Sequence, residues 1–525
     1  MNSTSLESRV ASLAHAHFDA LPQRCKPRIH VNGQREWIPF SGIVLLTGEN
    51  TPKESLTCVS VATGAKCLSA SHITQCRGQV LHDCHAEILA LRAFNRWVLE
   101  EVNSALVHCK EKHIEGSIES SSICEFHIGG NCSGSKFLQW RVAKYGKENS
   151  NEEKNLCRQF LEFKKDVKIW MYCSCAPCGD ASMELCMAAQ EDPTPWELQG
   201  EKVSIDIPQN ASTQALLNGR AHFSILGVVR RKPARADAES TLSKSCSDKL
   251  TVKQVTSILS FPANIFIAAT ANAYISDFLL PQDELNDVGF ERCFGSRETG
   301  RMKALKDRVW GSADADNCGG DFRFRPFNAR SLPMAEFQGL WEYAKPDGVP
   351  FPGRSRPSNI SAVWTAPPSY SSVTPFSLEG TECLQAKNSG YPKQKLANMP
   401  TGLNETLING VKQGYRMDSL GMKKASALSR ASMWGLLRDI VHNLSSMGEI
   451  IFYNEATICR YNLEKSHIAS LRDCVLLSPT YETLKNTLTK IEILKKRTEA
   501  LEDVRYILQN WVQNRGDDDW GLDDI

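Results

Sequence analysis

The sequence has no run that approaches the ~18 to 20 continuous apolar residues of a membrane-spanning helix, so no membrane anchor is expected. It has almost no net charge: 61 lysines and arginines stand against 60 aspartates and glutamates in 525 residues. A globally basic protein that coats nucleic acid is excluded, and any nucleic-acid contact must come from a local patch. The amino-terminal MNSTSLESRVASLAHAHF lacks a basic start followed by an apolar core, so it does not read as a secretory signal. Its acids and single early arginine argue against a transit peptide, and the expected location is the cytoplasm and/or nucleus. Cysteine is abundant, but the 19 residues are odd in number and scattered. In a reducing compartment they read as buried thiols or metal ligands, not as a disulfide framework. A hydrophobic fraction of 42% over this length is enough for a large core without staples.

The pattern of residues suggests an α/β layer fold. Residues 5–21 repeat apolar positions at near-helical spacing and stop at Pro22. GIVLLTG (42–48) reads as a buried strand, and CVSVATG (58–64) alternates, so the two are expected to pair as a hairpin. Helical periodicity runs from Ala86 to Val102. VKIWMY (167–172) reads as a strand, ASMELCMAAQ (181–190) as a helix, SILGVV (224–229) as a strand and KLTVKQVTSIL (249–259) as a helix. Residues 421–443 and 480–511 are helical in period. Polar residues 110–122 and 146–155 read as loops, the Pro/Ser/Gly-rich 345–372 as a connector, and the acidic DDDWGLDDI end as frayed.

Chemistry concentrates in three short segments. In HAE, a histidine and a glutamate two positions apart converge only at a first helical turn, and His85 and Glu87 are placed there. A neutral imidazole is a good zinc ligand, and a neighbouring carboxylate can shuttle protons without binding metal. The second H-x-E, His113 and Glu115, falls in a polar stretch and is taken as chance. CSCAPCGDA (173–181) lies between a strand and a helix and holds the Pro177-Cys178 pair. Zinc-dependent nucleobase deaminases combine H-x-E with P-C-x-x-C. Here Ala181 stands where the second cysteine of that motif belongs. Either the metal site is dead or another segment supplies the thiolate. Cys246 in SCSDK is the candidate, with Ser247 and Asp248 as helix N-caps beside it. Cys173 and Cys175 read as buried thiols flanking the site.

TGEN…SVATGAKC, DCHAEILALRAF, APCGDASM and SCSDKL, in that order, resemble the adenosine deaminase domain shared by the double-stranded-RNA editing enzymes and the tRNA-specific adenosine deaminases. The resemblance starts near LPQRCKP and REW and runs on toward the carboxyl end. It implies one large domain over 1–525, with a lead-in at 1–40, a zinc-binding core at 41–280 and a C-terminal part at 281–525. The implied fold is α/β: a three-layer α/β/α cytidine-deaminase-like core with a mixed sheet, insertions and a C-terminal helical extension. It implies a hydrolase in which His85, Cys178 and Cys246 hold Zn2+ and Glu87 moves protons while adenosine becomes inosine with loss of ammonia.

A base within folded RNA must be extruded to reach such a site, which calls for backbone-binding cations nearby. Arg220, Arg230, Arg231, Lys232 and Arg235 form an acid-free basic run just before Cys246 and are the expected RNA contacts. VVRRKPARAD resembles the tRNA-specific branch. The recognisable domain begins by about residue 25 to 40, which leaves no room upstream in this sequence for a double-stranded-RNA-binding domain. The expected partner is therefore tRNA, at the adenosine 3′ of the anticodon in alanine tRNA. Messenger duplex RNA as substrate, or a catalytically silent RNA-binding subunit, are the alternatives. The resemblance also implies buried inositol hexakisphosphate, with Arg92, Lys249, Arg430, Tyr481, Lys485, Lys495 and Trp511 at the matching positions. Leu91 and Val252-Lys253 depart from that pattern, standing where the editing enzymes carry an arginine and Arg-Trp.

Overall fold

A computed structural model describes residues 5–29, 35–116, 123–127, 134–141, 159–189, 225–232, 239–311, 322–345, 355–369, 402–419, 421–445, 449–454, 457–462, 467–509 and 511–525. The apolar run at Phe40–Thr47 is a strand covered on both faces, and this is why it does not alternate with polar residues. Ile43 and Leu45 point to one side and meet Leu89, Phe94 and Val98 of the long helix Ala86–Gly116. Val44 and Leu46 point to the other and meet Val10, Leu13 and Phe18 of the helix Leu6–Asp19. The two-residue period of the strand thus sorts neighbouring side chains into two cores. Ser5 caps the first helix, its hydroxyl accepting from the Ser8 amide at 3.1 Å.

The central sheet has eight strands, in the order 328–332, 275–281, 167–173, 40–47, 55–63, 360–365, 404–408 and 411–412. The first three run parallel, and every later neighbour is antiparallel. The expected pairing of the 42–48 and 58–64 segments is present, with Phe40 opposite Thr63 and Thr47 opposite Ser55. Helices cover both faces, so the architecture is the expected α/β with a mixed sheet. Among the described residues, no helix is long and apolar enough to cross a membrane.

Four expectations need correction. The helix from Ala86 continues to Gly116, so the polar 110–116 is helical and His113 and Glu115 lie on it, not in a loop. The connector assigned to 345–372 contains Ile360–Thr365, a fully buried strand of the central sheet. Its flanking prolines and serines hid six consecutive buried positions. SILGVV forms no strand over its described residues 225–229; the Gly227 amide donates instead to Asp180 Oδ1 at 2.7 Å. The acidic end is not frayed. Trp520 stacks on Tyr481 with ring centroids 4.9 Å apart, and Asp517 accepts from the Gly78 amide at 2.7 Å and meets Arg430 at 2.5 Å.

Candidate metal centre and active site

His85 ends the short strand Asp83–His85, and Ala86 opens the long helix, so Glu87 stands in its first turn. Cys178 follows the strand Val167–Cys173 in a turn. Cys246 is the first residue of the helix Cys246–Thr256, capped by Ser245, whose hydroxyl accepts from Asp248 N at 3.1 Å. The cap is therefore Ser245, not Ser247 or Asp248. Ser247 has a different task. Its amide donates to Cys178 O at 3.0 Å, and its hydroxyl donates to Pro177 O at 3.0 Å and accepts from Ala181 N at 3.2 Å. The two cysteine turns are stitched together, with Ala181 part of the stitching. Gly179 makes this approach possible: its φ of +109° lies where a side chain is strained, and a Cβ there would collide with Ser245.

Cys178 Sγ lies 3.7 Å from His85 Nδ1, and Cys246 Sγ lies 3.6 Å from the same nitrogen. All three donor atoms fall within 4.8 Å of one another. A tetrahedral zinc with bonds of about 2.3 Å to sulfur and about 2.0 to 2.1 Å to nitrogen needs a nitrogen–sulfur edge of about 3.6 Å. The donor set and its spacing therefore fit a metal with one coordination position left open. The hydrogen bond shared with Cys246 pulls the Cys178 thiol well below its ordinary range, while burial pushes Cys246 up. Glu87 is 3% exposed, and burial raises its carboxyl above the usual range against the pull of His85. Cys173 is buried near Glu87 and Cys175 is half-buried, both flanking the site as expected.

Asp83 anchors the site from below. Its carboxylate accepts from Lys232 Nζ at 3.0 and 2.9 Å, from Ser243 Oγ at 2.6 Å, from the His85 amide at 3.0 Å and from Lys249. Burial alone would push this carboxyl up, but Lys232 and Lys249 outweigh it and hold it well below the usual range. Lys232 Nζ also donates to Cys246 Sγ at 3.2 Å, so the lysine ties the carboxylate to a candidate metal ligand.

Residues 60–127 and 136–258 match the protein family described as the adenosine-deaminase (editase) domain. The chain is 36% identical over 279 residues to tRNA-specific adenosine deaminase 1 of Schizosaccharomyces pombe, covering 53% of this chain and 58% of that protein. It is 32% identical over 256 residues to tRNA-specific adenosine deaminase 1 of Saccharomyces cerevisiae, covering 48% and 54%. Identity to the double-stranded RNA-specific adenosine deaminase of Mus musculus is 24% over 183 residues, covering 35% and 12%. The chain spans a little over half the length of the tRNA-specific relatives from the two yeasts.

The fold brings His85, Cys178, Cys246 and Glu87 together, but it does not present the basic run as expected. Arg230 is 0% exposed; its amide donates to Asp248 at 3.0 Å and its guanidinium to Ile225 O at 2.5 Å. Lys232 is 3% exposed and engaged with Asp83 and Cys246. Both serve the interior of the site, which corrects their assignment as RNA contacts. Arg231 is half-buried, and Arg220 and Arg235 lie outside the described residues.

The residues assigned to an inositol phosphate fall into two groups. Arg92 donates to Leu428 O at 3.1 Å, Arg430 pairs with Asp517 and Asp518, and Lys485 lies 3.3 Å from Asp518. Arg430 and Lys485 both lie over the Tyr481 ring. Lys249 belongs to the Asp83 network, Lys495 is exposed, and Trp511 lies beneath Lys244 and Arg505. Four cations that motif reading missed gather near Trp511 and the helix Cys246–Thr256. Among the described residues, Lys253 Nζ is held by the carbonyls of Ile258 and Leu259, each at 3.0 Å, and burial with Arg497 nearby pushes it well below the usual lysine range. Burial, then Arg505, lowers Arg497 to about 10, and among the described residues the buried Nε atoms of Arg497 and Arg505 have no hydrogen-bond partner. Lys244 is lowered to about 7 by burial and by Lys249. It donates to Val512 O and to Asn514 Oδ1, the latter at 3.1 Å. None of the ion pairs among the described residues involves these four. The departure at Val252-Lys253 was the one sequence feature that pointed here.

Proposed function

We propose that this chain is a zinc-dependent hydrolase that deaminates adenosine to inosine in tRNA. The carrying observation is the convergence of His85, Cys178 and Cys246 within 4.8 Å beside the buried Glu87. His85, Cys178 and Cys246 would hold the zinc, which when bound lowers the pKa of a water toward ~7 and so supplies a nucleophile at neutral pH. Glu87, raised by burial, is suited to accept a proton from that water and return it to the departing ammonia. Lys232 and the helix start at Cys246 keep the sulfur environment positive. Asp83 fixes the His85 backbone and so the imidazole it carries.

The tRNA substrate is supported by the higher identity to the two yeast tRNA-specific enzymes than to the duplex-specific one. Within that reading the target is the adenosine 3′ of the anticodon in alanine tRNA, and the protein works in the cytoplasm and/or nucleus. Inositol hexakisphosphate is the proposed second ligand. Its support is the group Lys244, Lys253, Arg497 and Arg505, cations short of counter-charge near Trp511. Measuring inosine in purified tRNA and in a long RNA duplex tests the reading. Inosine in alanine tRNA that disappears in Glu87→Ala, with RNA binding kept, is expected; activity confined to the duplex overturns the tRNA assignment.

A further inference from the structure

Each proposed thiolate ligand is followed two residues later by a buried aspartate: Cys178-Gly179-Asp180 and Cys246-Ser247-Asp248. Both aspartates are 0% exposed, and the mechanism above uses neither. Asp248 Oδ2 accepts from Ser245 Oγ at 2.5 Å and from Arg230 N at 3.0 Å, while Oδ1 accepts from Arg301 Nη1 at 2.8 Å. Asp180 Oδ1 accepts from Gly227 N at 2.7 Å and from Arg292 Nε at 3.2 Å, and its carbonyl accepts from Arg292 Nη2 at 2.8 Å.

The two arginines belong to one stretch. Arg292 lies on the helix Asp287–Phe294, Arg301 in the loop after it, and the Arg301 amide donates to Arg292 O at 3.0 Å. Each guanidinium finishes its donors inside the same region. Arg292 also grips Glu184, and Arg301 reaches Thr251 Oγ1 at 2.8 Å and Cys293 O at 2.9 Å. A planar fork with five fixed donors holds a carboxylate in orientation as well as in distance, which a lysine does not. The two cysteine turns, stitched directly through Ser247, are thus also held from outside, by one stretch that grips both.

We propose that Arg292 and Arg301 are positioning residues of the metal centre, a paired clamp that sets the separation of the Cys178 and Cys246 sulfurs through Asp180 and Asp248. This rests on the metal-centre reading given above. Metal sites tolerate ligand displacements of only about 0.2 Å, and loss of a residue that orients a ligand weakens metal binding about 10- to 100-fold. A clamp acts on metal geometry and retention; an ordinary ion pair acts on stability alone.

Cobalt(II) is the probe, loaded into the full chain in place of zinc. Its ligand-field and thiolate charge-transfer absorption and the rate of its loss to a chelator are recorded beside the thermal unfolding curve. In Arg292→Gln and Arg301→Gln the absorption changes and cobalt is retained about 10- to 100-fold less well than in wild type. Arg330→Gln removes a buried aspartate's partner elsewhere, 3.0 Å from Asp277 at the sheet edge, and leaves both readouts unchanged. Should the glutamine variants fail to fold, Arg292→Lys and Arg301→Lys decide, because they keep the charge and lose the fork. Folded arginine variants with the wild-type spectrum and retention overturn the clamp. A wild type with no thiolate band, or with one that Cys246→Ser leaves in place, would instead sink the metal-centre reading, and the clamp with it.

Discussion

The helix Cys246–Thr256 has a cluster of buried charge at each end, and the two are closed in opposite ways. At its start, Asp83 stands among Lys232, Lys249, Ser243 and the His85 amide, and both signs of charge are present. Toward its end, Lys253, Arg497 and Arg505 meet carbonyls, one another and the tryptophan below; Glu502 acts on Arg505 from a distance, but among the described residues no ion pair closes the cluster. Buried charge is costly unless it is paired. The first cluster meets that cost from its own chain and behaves as scaffold. The second does not, and that unmet cost is what the anion proposed above would meet.

The largest expected effect lies at the scaffolded end, where the chemistry is. Glu87→Gln should lower inosine formation about 100- to 10,000-fold with little change in Tm, since general acid–base catalysis is worth that much. A variant with near wild-type turnover would remove Glu87 from the mechanism. Next is the pairing itself. Asp83→Ala leaves Lys232 and Lys249 buried without their carboxylate and should cost about 3 to 5 kcal/mol, read by chemical denaturation. A loss below about 1 kcal/mol, the range of an exposed pair, would mean that the cluster is not closed as described.

The other end should respond with the opposite sign. Lys253→Met in anion-free protein removes an uncompensated cation and should be neutral or stabilising by roughly 1 kcal/mol. Inositol hexakisphosphate should raise the Tm of the wild type more than that of the variant. If Lys253→Met destabilises the anion-free protein as strongly as Asp83→Ala, the contrast between the ends is gone.

The smallest effect uses a buried group that is neutral. His15 lies 2.8 Å from the Tyr172 hydroxyl, and burial lowers it to about 3. A histidine whose folded value is depressed stabilises the protein fully above its unfolded value near 6.5, and that contribution is lost as the pH falls from there toward 3. The wild type should therefore lose roughly 0.7 kcal/mol between pH 7 and pH 6 that His15→Gln does not lose. Equal slopes for the two proteins would show that His15 is not held neutral by the fold.

The same contrast explains what could be read from the residues alone. His85, Glu87, Cys178 and Cys246 were legible because each sits at a strand-to-helix or loop-to-helix turn that its neighbours specify. The double-faced strand Phe40–Thr47 was legible from its unbroken apolar run. Ile360–Thr365 was not, because prolines and serines on both sides masked its six buried positions. Arg230 and Lys232 were misread because a basic run looks the same whether it faces solvent or an interior aspartate. The departure at Val252-Lys253 pointed to the second cluster, but Arg497 and Arg505 escaped notice because they meet Lys253 only in space, across 252 positions of chain between Lys253 and Arg505. Local rules place ligands at turns, and tertiary packing alone decides which cations find partners.

The account's central claim is that one imidazole and two distant thiols share a single ion. Elemental analysis of the purified chain tests it directly, comparing wild type with Cys246→Ala under identical chelator treatment. One zinc per chain in the wild type, lost together with inosine formation in the variant, is the predicted result. A variant that keeps one zinc per chain and still makes inosine would contradict it.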